Sequence, residues 1–505
     1  MAGMIRWRAN GVPMDLGDIP AAETMRDLRE ECLASLASGG RLIALTVLSP
    51  TGGSGAGQML AAVADDARSR IGFLRAPIPA SGHYRALSDE APQAQAFERE
   101  LLEDHGLVPE GHPWPKPLRR HRDLEAHGRG ESAPPEGHPF FKVEGASVHE
   151  VAVGPVHAGI IEPGHFRFQC YGERVLHLEI QLGYQHRGAE ALLLRSTPAR
   201  RLSIAESVAG DTAVGHVIAY CAAVEGFGGV EAPLAAQAIR GIALELERIA
   251  NHVGDLGALC GDVGYLPGAS WLGRLRGEFL NTLLEISGNR FGRGLVIPGG
   301  VRFGVDPAAK ADLLARLDRL EKEFDQISEI VLESPSVVSR FEQTGILLRE
   351  DAEELAVVGP AARASGCNRD ARRDHPSGIY RFAHIPVSLQ ESGDVMARAV
   401  LRWTEAQRSI QFVREQLQEL RDGTLATPVG PARPNACVVS LVEGWRGEIA
   451  HVAVTDDAGR LAAYKIVDPS MHNWVALAMV MRERQISDFP VCNKSFNLSY
   501  AGHDL

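Results

Sequence analysis

"PLAAQAIRGIALELERIANHVGDL", residues 233–256, sets Ile239, Ile242, Leu246, Ile249, Val253 and Leu256 three or four positions apart. That spacing returns one apolar stripe on each turn of an α-helix, and Pro233 suits a first turn, so a long helix is expected here. Leu313, Leu317, Leu320, Phe324, Ile327 and Val331 repeat the pattern. Trp403, Ala406, Ile410, Val413, Leu417 and Leu420 do so again, with Gly423 as the expected C-cap. Stripes of roughly 20 residues are buried most simply by antiparallel packing, which makes the larger part of the chain a mainly α, long-helix bundle. Short β segments such as "ERVLHLEIQL" (173–182) are expected at its edge.

Working outward, "HRDLEAHGRGESAPPEGHPFFKVEG" (121–145) is rich in Gly, Pro, His and charge and lacks apolar periodicity, which is linker composition. Before it, "RLIALTVLSP" (41–50) reads as a strand and "GQMLAAVADDARSR" (57–70) as a helix. The expected class is therefore α+β: a small N-terminal α/β domain (1–120), a linker (121–145) and a mainly α domain (146–505). In "PTGGSGAGQM" (50–59), Gly52 and Gly57 have the separation of a phosphate loop, but Gln58 and Met59 stand where Lys and Ser/Thr are needed. A turn is the better reading.

The chain has 505 residues, 45% hydrophobic and 23% charged, the balance of a globular protein of more than one domain. A net charge of -12 argues against general nucleic-acid binding. The N-terminal residues form no secretory signal, and "NWVALAMVM" (473–481) is far shorter than the roughly 20 apolar residues of a membrane helix. Cys32, Cys170, Cys221, Cys260, Cys367, Cys437 and Cys492 are scattered, without a CxxC, so buried reduced thiols are expected and no metal motif is legible.

Five stretches then agree in order: "GPVHAGIIEPGHFRFQCYGERVLHLEIQLGYQHRGAE" (154–190), "ELERIANHVGDLG" (245–257), "GNRFGRGLVIPGGVRFG" (288–304), "GPAARASGCNRDARR" (359–373) and "SGDVMARAVLR" (392–402). Together they resemble the hydrogenase-like core subunit of respiratory complex I, the NADH-quinone oxidoreductase, and the large subunit of group 4 membrane-bound nickel–iron hydrogenases. "FERELLEDHGLVPEGHP" (97–113) resembles the end of a small complex I subunit that is fused ahead of this one in some bacteria. Arg and Glu of "HRGAE" and "ELERI" are expected in buried ion pairs, and the glycines of "PGG" and "GNRFGRG" in tight turns.

The resemblance implies four cysteines holding nickel and iron, since soft thiolates suit such a centre. The early C-G-x-C falls on Ala209, Gly210, Asp211 and Thr212, with the trailing histidine kept as His216. The late D-P-C-x-x-C falls on 497–502, with Ser499 and Gly502 at the cysteines. Complex I instead uses the cavity for a quinone headgroup, through a histidine that corresponds to Ile161 and a tyrosine that corresponds to Gly210. Both partners are absent. Glu162 matches the carboxylate that relays protons in the hydrogenases, and His216 and Arg363 match other groups of that pocket. Glu162, His165, His216, Arg363 and Asp211 are thus the candidate acid–base groups. His157, Gly210, Thr212 and Ser499 are the candidate wall of the remnant pocket.

Glu162 is expected on a strand approaching Asp211 and His216, with its pKa raised by burial; pairing with His165 or Arg363 is the alternative. The implied function is that of one subunit in an oxidoreductase complex that couples electron transfer to ion movement, peripheral on the cytoplasmic face of the membrane. A silent scaffold is the runner-up. The implied partners are an iron–sulfur small subunit and antiporter-like membrane subunits, with no nucleic acid. No cofactor is expected on this chain itself, a quinone is compatible with the cavity, and nickel–iron is not expected.

Overall fold

The computed structural model describes residues 4–48, 57–119, 138–157 and 161–505, and in it the striped segments form a helix bundle. Leu234–Asp262 is the centre, Leu266–Ser287 and Val395–Glu419 pack on it, and Pro307–Glu333 lies against those two. All six apolar residues of the 239–256 stripe are buried, and so are all six of the 313–331 stripe. The third helix starts at Asp394, whose side chain accepts the Ala397 N–H, and stops at Glu419 with Leu420 as C-cap. Gly423 therefore lies beyond the cap. Pro233 is the N-cap of the central helix rather than part of its first turn.

A second element fixes how the two ends of the chain meet. Ala436–Gly444, Gly447–Thr455 and Leu461–Val467 form an antiparallel meander, and Met14–Asp15 pairs with Ala436–Cys437 along its edge. Every residue of the first two strands is buried. Because side chains alternate along a strand, Val438, Val442, Ile449 and Ala453 join the core of the bundle. Cys437, Val439, Leu441, Ala450 and Val452 join a second core built with the N-terminal residues. This sheet is a wall shared by two cores.

The second core is closed by an antiparallel sheet in the order Arg6–Arg8, Arg70–Pro77, Gln58–Asp65, Arg41–Leu48, with helices Met25–Ala37 and Gln95–His105 against it. Residues 58–65 are thus a strand, not the start of a helix. Met59 to Ala64 are buried without a break, and a strand covered on both faces has no period-2 pattern to separate it from a buried helix. Arg41 on this sheet donates to both oxygens of Glu448 on the shared wall, at 2.5 Å each.

Val148–Val153, His165–Tyr171 and Arg174–Gln181 form a three-stranded sheet with the middle segment in the centre, so "ERVLHLEIQL" is largely strand as expected. Residues 50–56 and 121–137, which hold most of the glycine turn and the linker, lie outside the described residues. Among the described residues no helix is long and apolar enough to cross a membrane.

Candidate functional site

Four segments converge at the N-terminus of helix Ala213–Gly228: the turn 206–212 before it, the connection 161–164, the hairpin turn 444–447, and 497–502 leading into the last helix, Tyr500–Asp504. Two side chains hold the segments together. Arg187 donates to Ser207 O (2.5 Å), Val208 O (2.8 Å) and Ala501 O (3.0 Å), binding the 206–212 and 497–502 stretches to one guanidinium. It was expected in an ion pair; it serves backbone carbonyls instead. Glu247 of the central helix accepts the N–H groups of Val214 (2.7 Å) and Gly215 (3.1 Å), a carboxylate placed at a helix N-terminus. Burial pushes its pKa up to about 8 against the pull of those amides.

Within this frame an ion pair stands at the 206–212 turn. Arg446 donates to Asp211 through both terminal nitrogens (2.5 and 2.8 Å), and through Nε to Asn497 O at 2.5 Å. Its guanidinium lies 3.9 Å from the centroid of the Trp445 ring. Burial raises the Asp211 carboxyl, and Arg446 pulls it back below its usual range. Thr212 Oγ1 accepts from Trp445 Nε1 (3.1 Å) and from Arg446 (3.2 Å). Gly210 is exposed, and a Cβ there would have nothing within 4 Å.

Glu162 reaches the same place from the other side. It lies before, not on, the strand that begins at His165. Its Oε2 accepts the Tyr500 and Ala501 N–H groups at 3.2 and 3.4 Å. Burial raises its pKa, and Arg446 nearby opposes the shift without cancelling it. The raised carboxyl matches expectation; the hydrogen-bond partners of Glu162 are amides, not His165 or Arg363. His165 Nδ1 faces Gly154 O (3.0 Å), and His157 Nε2 faces Gly164 O (2.9 Å), so both histidines tie the ends of the 154–165 connection together.

His216 begins a buried polar row. Its Nε2 is 3.1 Å from Asp468 Oδ2, its Nδ1 is 3.1 Å from His451 Nε2, and His451 Nδ1 is 2.8 Å from the Tyr464 hydroxyl. Asp468, held below its usual pKa, accepts from His216 Nε2. Burial holds His451 well below the usual histidine range, in keeping with a neutral ring. Ser499 caps the last helix by accepting the Gly502 N–H at 2.8 Å.

Arg363 belongs elsewhere. Fully buried, it donates to Glu405 and Glu443 at 2.7 Å each. Yet the two places are joined. From Arg446 the row runs through Asn497, Asp255, Arg402, His252, Glu405 and Arg363 to Glu443, with every link between 2.5 and 3.2 Å. Arg402 donates to His252 Nδ1, so the proton sits on Nε2 facing Glu405, and burial takes His252 down to about 4. Arg446, Asp468 and, Arg363 apart, this row were not legible from sequence, and Arg187 and Glu247 lie in stretches that were expected only to form buried ion pairs. Single Arg, Asp and Glu residues spaced over hundreds of positions carry no local signal.

A thiolate-held nickel–iron centre does not fit these residues. Ala209, Thr212, Ser499 and Gly502 offer no thiol, and a Cβ at Gly502 would lie 2.5 Å from Asp468 Oδ2. All seven cysteines are buried, and burial lifts the thiols of Cys32, Cys221 and Cys437 away from the thiolate form.

The long-helix bundle is that of a large-subunit fold, and the chain belongs to the family shared by the complex I 49-kDa subunit and the group 4 membrane-bound hydrogenase large subunits. It is 32% identical over 353 residues to the carbon monoxide-induced hydrogenase of Rhodospirillum rubrum, covering 70% of this chain and 98% of that one. Formate hydrogenlyase subunit 5 of Escherichia coli (strain K12) is 29% identical over 438 residues, 83% of this chain and 77% of the relative. The family described as respiratory-chain NADH dehydrogenase, 49 Kd subunit, matches residues 262–429. In fold, the chain is similar to a chain of the membrane-bound sulfane sulfur reductase, an archaeal respiratory membrane complex. The TM-score is 0.67 at 22% identity, over 71% of this chain and 99% of that one.

Proposed function

We propose that this chain is the large subunit of a membrane-associated oxidoreductase complex that couples electron transfer to ion translocation, and that its pocket works without nickel–iron. The observation that carries this reading is the Asp211–Arg446 pair beside Glu162, at turns where the relatives' ligand cysteines are replaced by Ala209, Thr212, Ser499 and Gly502. The partners that suit it are a small iron–sulfur subunit and antiporter-like membrane subunits, with this chain on the cytoplasmic face. Electrons come from the partner's cluster to a small acceptor, a quinone among the candidates. Glu162, whose pKa burial raises, gives a proton to the reduced acceptor.

A second reading is a scaffold without chemistry of its own, and the Arg187 clamp on both former ligand stretches favours it, because it makes the turns a joint. Co-purification with the neighbouring gene products, followed by reduction of the clusters and addition of quinones or small soluble acceptors, separates the two. Acceptor-dependent reoxidation supports the redox reading; clusters that stay reduced with every acceptor leave the scaffold.

A further inference from the structure

The hairpin of Ala436–Gly444 and Gly447–Thr455 ends on a pair of acids. Glu443 and Glu448 are directly opposite in the register, so both side chains leave the sheet on the face that Leu441 and Ala450 turn to the N-terminal core. Both are buried, at 3% and 7% exposure. Like charges directly opposite on a strand pair repel, and burial leaves little screening. Each acid therefore needs a cation of its own.

The two cations come from different parts of the chain. Glu443 accepts from Arg363 of the bundle (2.7 Å) and from the Ala371 N–H (3.0 Å). Glu448 takes both terminal nitrogens of Arg41, which begins the strand Arg41–Leu48 of the N-terminal sheet. Such a two-point pair fixes geometry as well as charge. Asp66 accepts the Arg41 Nε at 2.9 Å and also faces His375 at 2.8 Å, so Arg41 is itself held in place.

Trp445 and Arg446 form the turn between these strand ends. Arg446 grips Asp211, and Trp445 Nε1 donates to Asp211 O (3.0 Å) and Thr212 Oγ1 (3.1 Å). Neither residue has the positive φ of the favoured two-residue hairpin turns, so the turn backbone leaves its direction to its contacts. On the Glu443 side, Arg248 donates to the Glu443 and Gly444 carbonyls (2.6 and 2.8 Å). On the Glu448 side the anchor is Arg41.

We propose that Arg41 is a positioning residue of the Asp211–Arg446 pocket. By neutralising Glu448 opposite Glu443 it closes the hairpin tip and sets Trp445 and Arg446 against the 206–212 turn. The N-terminal domain thereby shapes a pocket that the bundle carries. The placing of the tip does not rest on the redox reading; any effect of Arg41 on turnover does.

Fluorine NMR of the full-length chain, labelled with fluorotryptophan, tests this. The chain has six tryptophans, and Trp445→Phe identifies the Trp445 resonance. Arg41→Met and, separately, Arg41→Gln leave Glu448 without its counter-charge and should each shift or split that resonance at neutral pH. The resonances of Trp271 and Trp403, on bundle helices, should stay in place. Removing the stranded charge as well, in Arg41→Met/Glu448→Gln, should bring the Trp445 resonance back toward its wild-type position. Leu28→Ala, in the same N-terminal core but on helix Met25–Ala37, should lower the melting temperature and leave the resonance unmoved. A merely structural Arg41 would behave like Leu28. An unmoved Trp445 resonance in a folded Arg41 variant, no return in the double variant, or an equal shift in Leu28→Ala each overturns the proposal. Acceptor turnover is read separately, on complexes carrying the same variants. A resonance that moves and returns as expected supports the positioning role even if the wild-type complex reduces no acceptor, a result that would end the redox reading alone.

Discussion

Asp468 stands where any side chain at position 502 would have to go: a Cβ added to Gly502 would lie 2.5 Å from its Oδ2. Asp468 is not free to leave, because it faces His216 at 3.1 Å and caps the next helix through the Ser470 N–H at 2.8 Å. Position 502 is therefore closed to a side chain by a carboxylate that other elements need. Gly502→Cys should overpack the turn and cost about 1–3 kcal/mol, read as a lower melting temperature. Adding Ala209→Cys, Thr212→Cys and Ser499→Cys should not create a nickel site. Nickel bound by the four-cysteine variant would show that the pocket is more adaptable than Asp468 implies.

Arg446 and Asp211 form a pair whose loss is asymmetric. Arg446→Met leaves a carboxylate whose side chain is only 32% exposed without its partner. Breaking a fully buried pair costs about 3–5 kcal/mol, and the partial exposure of Asp211 places the expected loss nearer 2–3 kcal/mol. The double variant Asp211→Asn/Arg446→Met should be more stable than the sum of the single losses predicts. Denaturant melts of the four species read the coupling, and simple additivity would mean that the pair is not a unit.

Glu162→Gln separates chemistry from structure. The amide keeps size and can still accept from the Tyr500 and Ala501 N–H groups, but it cannot exchange a proton at neutral pH. Acceptor reduction by the complex should fall by about 10²–10⁴-fold while the melting temperature stays close to wild type. Unchanged turnover would reduce Glu162 to a structural cap.

Glu247 makes stability depend on pH with a definite sign. Its pKa is raised from 4.5 to about 8, so the folded state holds a proton that the unfolded chain has already released. This contribution is fully present below about 4.5 and is lost as pH rises through about 8. The wild type should lose melting temperature across that window. Glu247→Gln, which has no proton to release, should lose less, and parallel curves for the two would remove Glu247 as the cause.

How much of this was legible follows from how far each signal reaches along the chain. The stripe from Ile239 to Leu256 is local and periodic, and the helix came out where the spacing put it. Residues 58–65 misled because a strand buried on both faces is merely apolar. At the site, Glu162, Asp211 and His216 stood out through the family resemblance, and the structure places Asp211 against Arg446, Glu162 on the Tyr500 and Ala501 amides and His216 against Asp468. Arg363 came by the same route and lies at the other end of a polar row. Arg446 and Asp468 were missed because their meaning depends on partners 235 or more residues away, Arg446–Asp211 and Asp468–His216, and Arg187 was expected in an ion pair whereas it serves backbone carbonyls.

In the function proposed for this chain, the pocket works without nickel–iron. Nickel in the complex purified from cells grown with ample nickel, counted by elemental analysis against this chain, tests it most directly. No stoichiometric nickel is expected, together with acceptor-dependent reoxidation of the partner's clusters. Nickel approaching one atom per chain would contradict it.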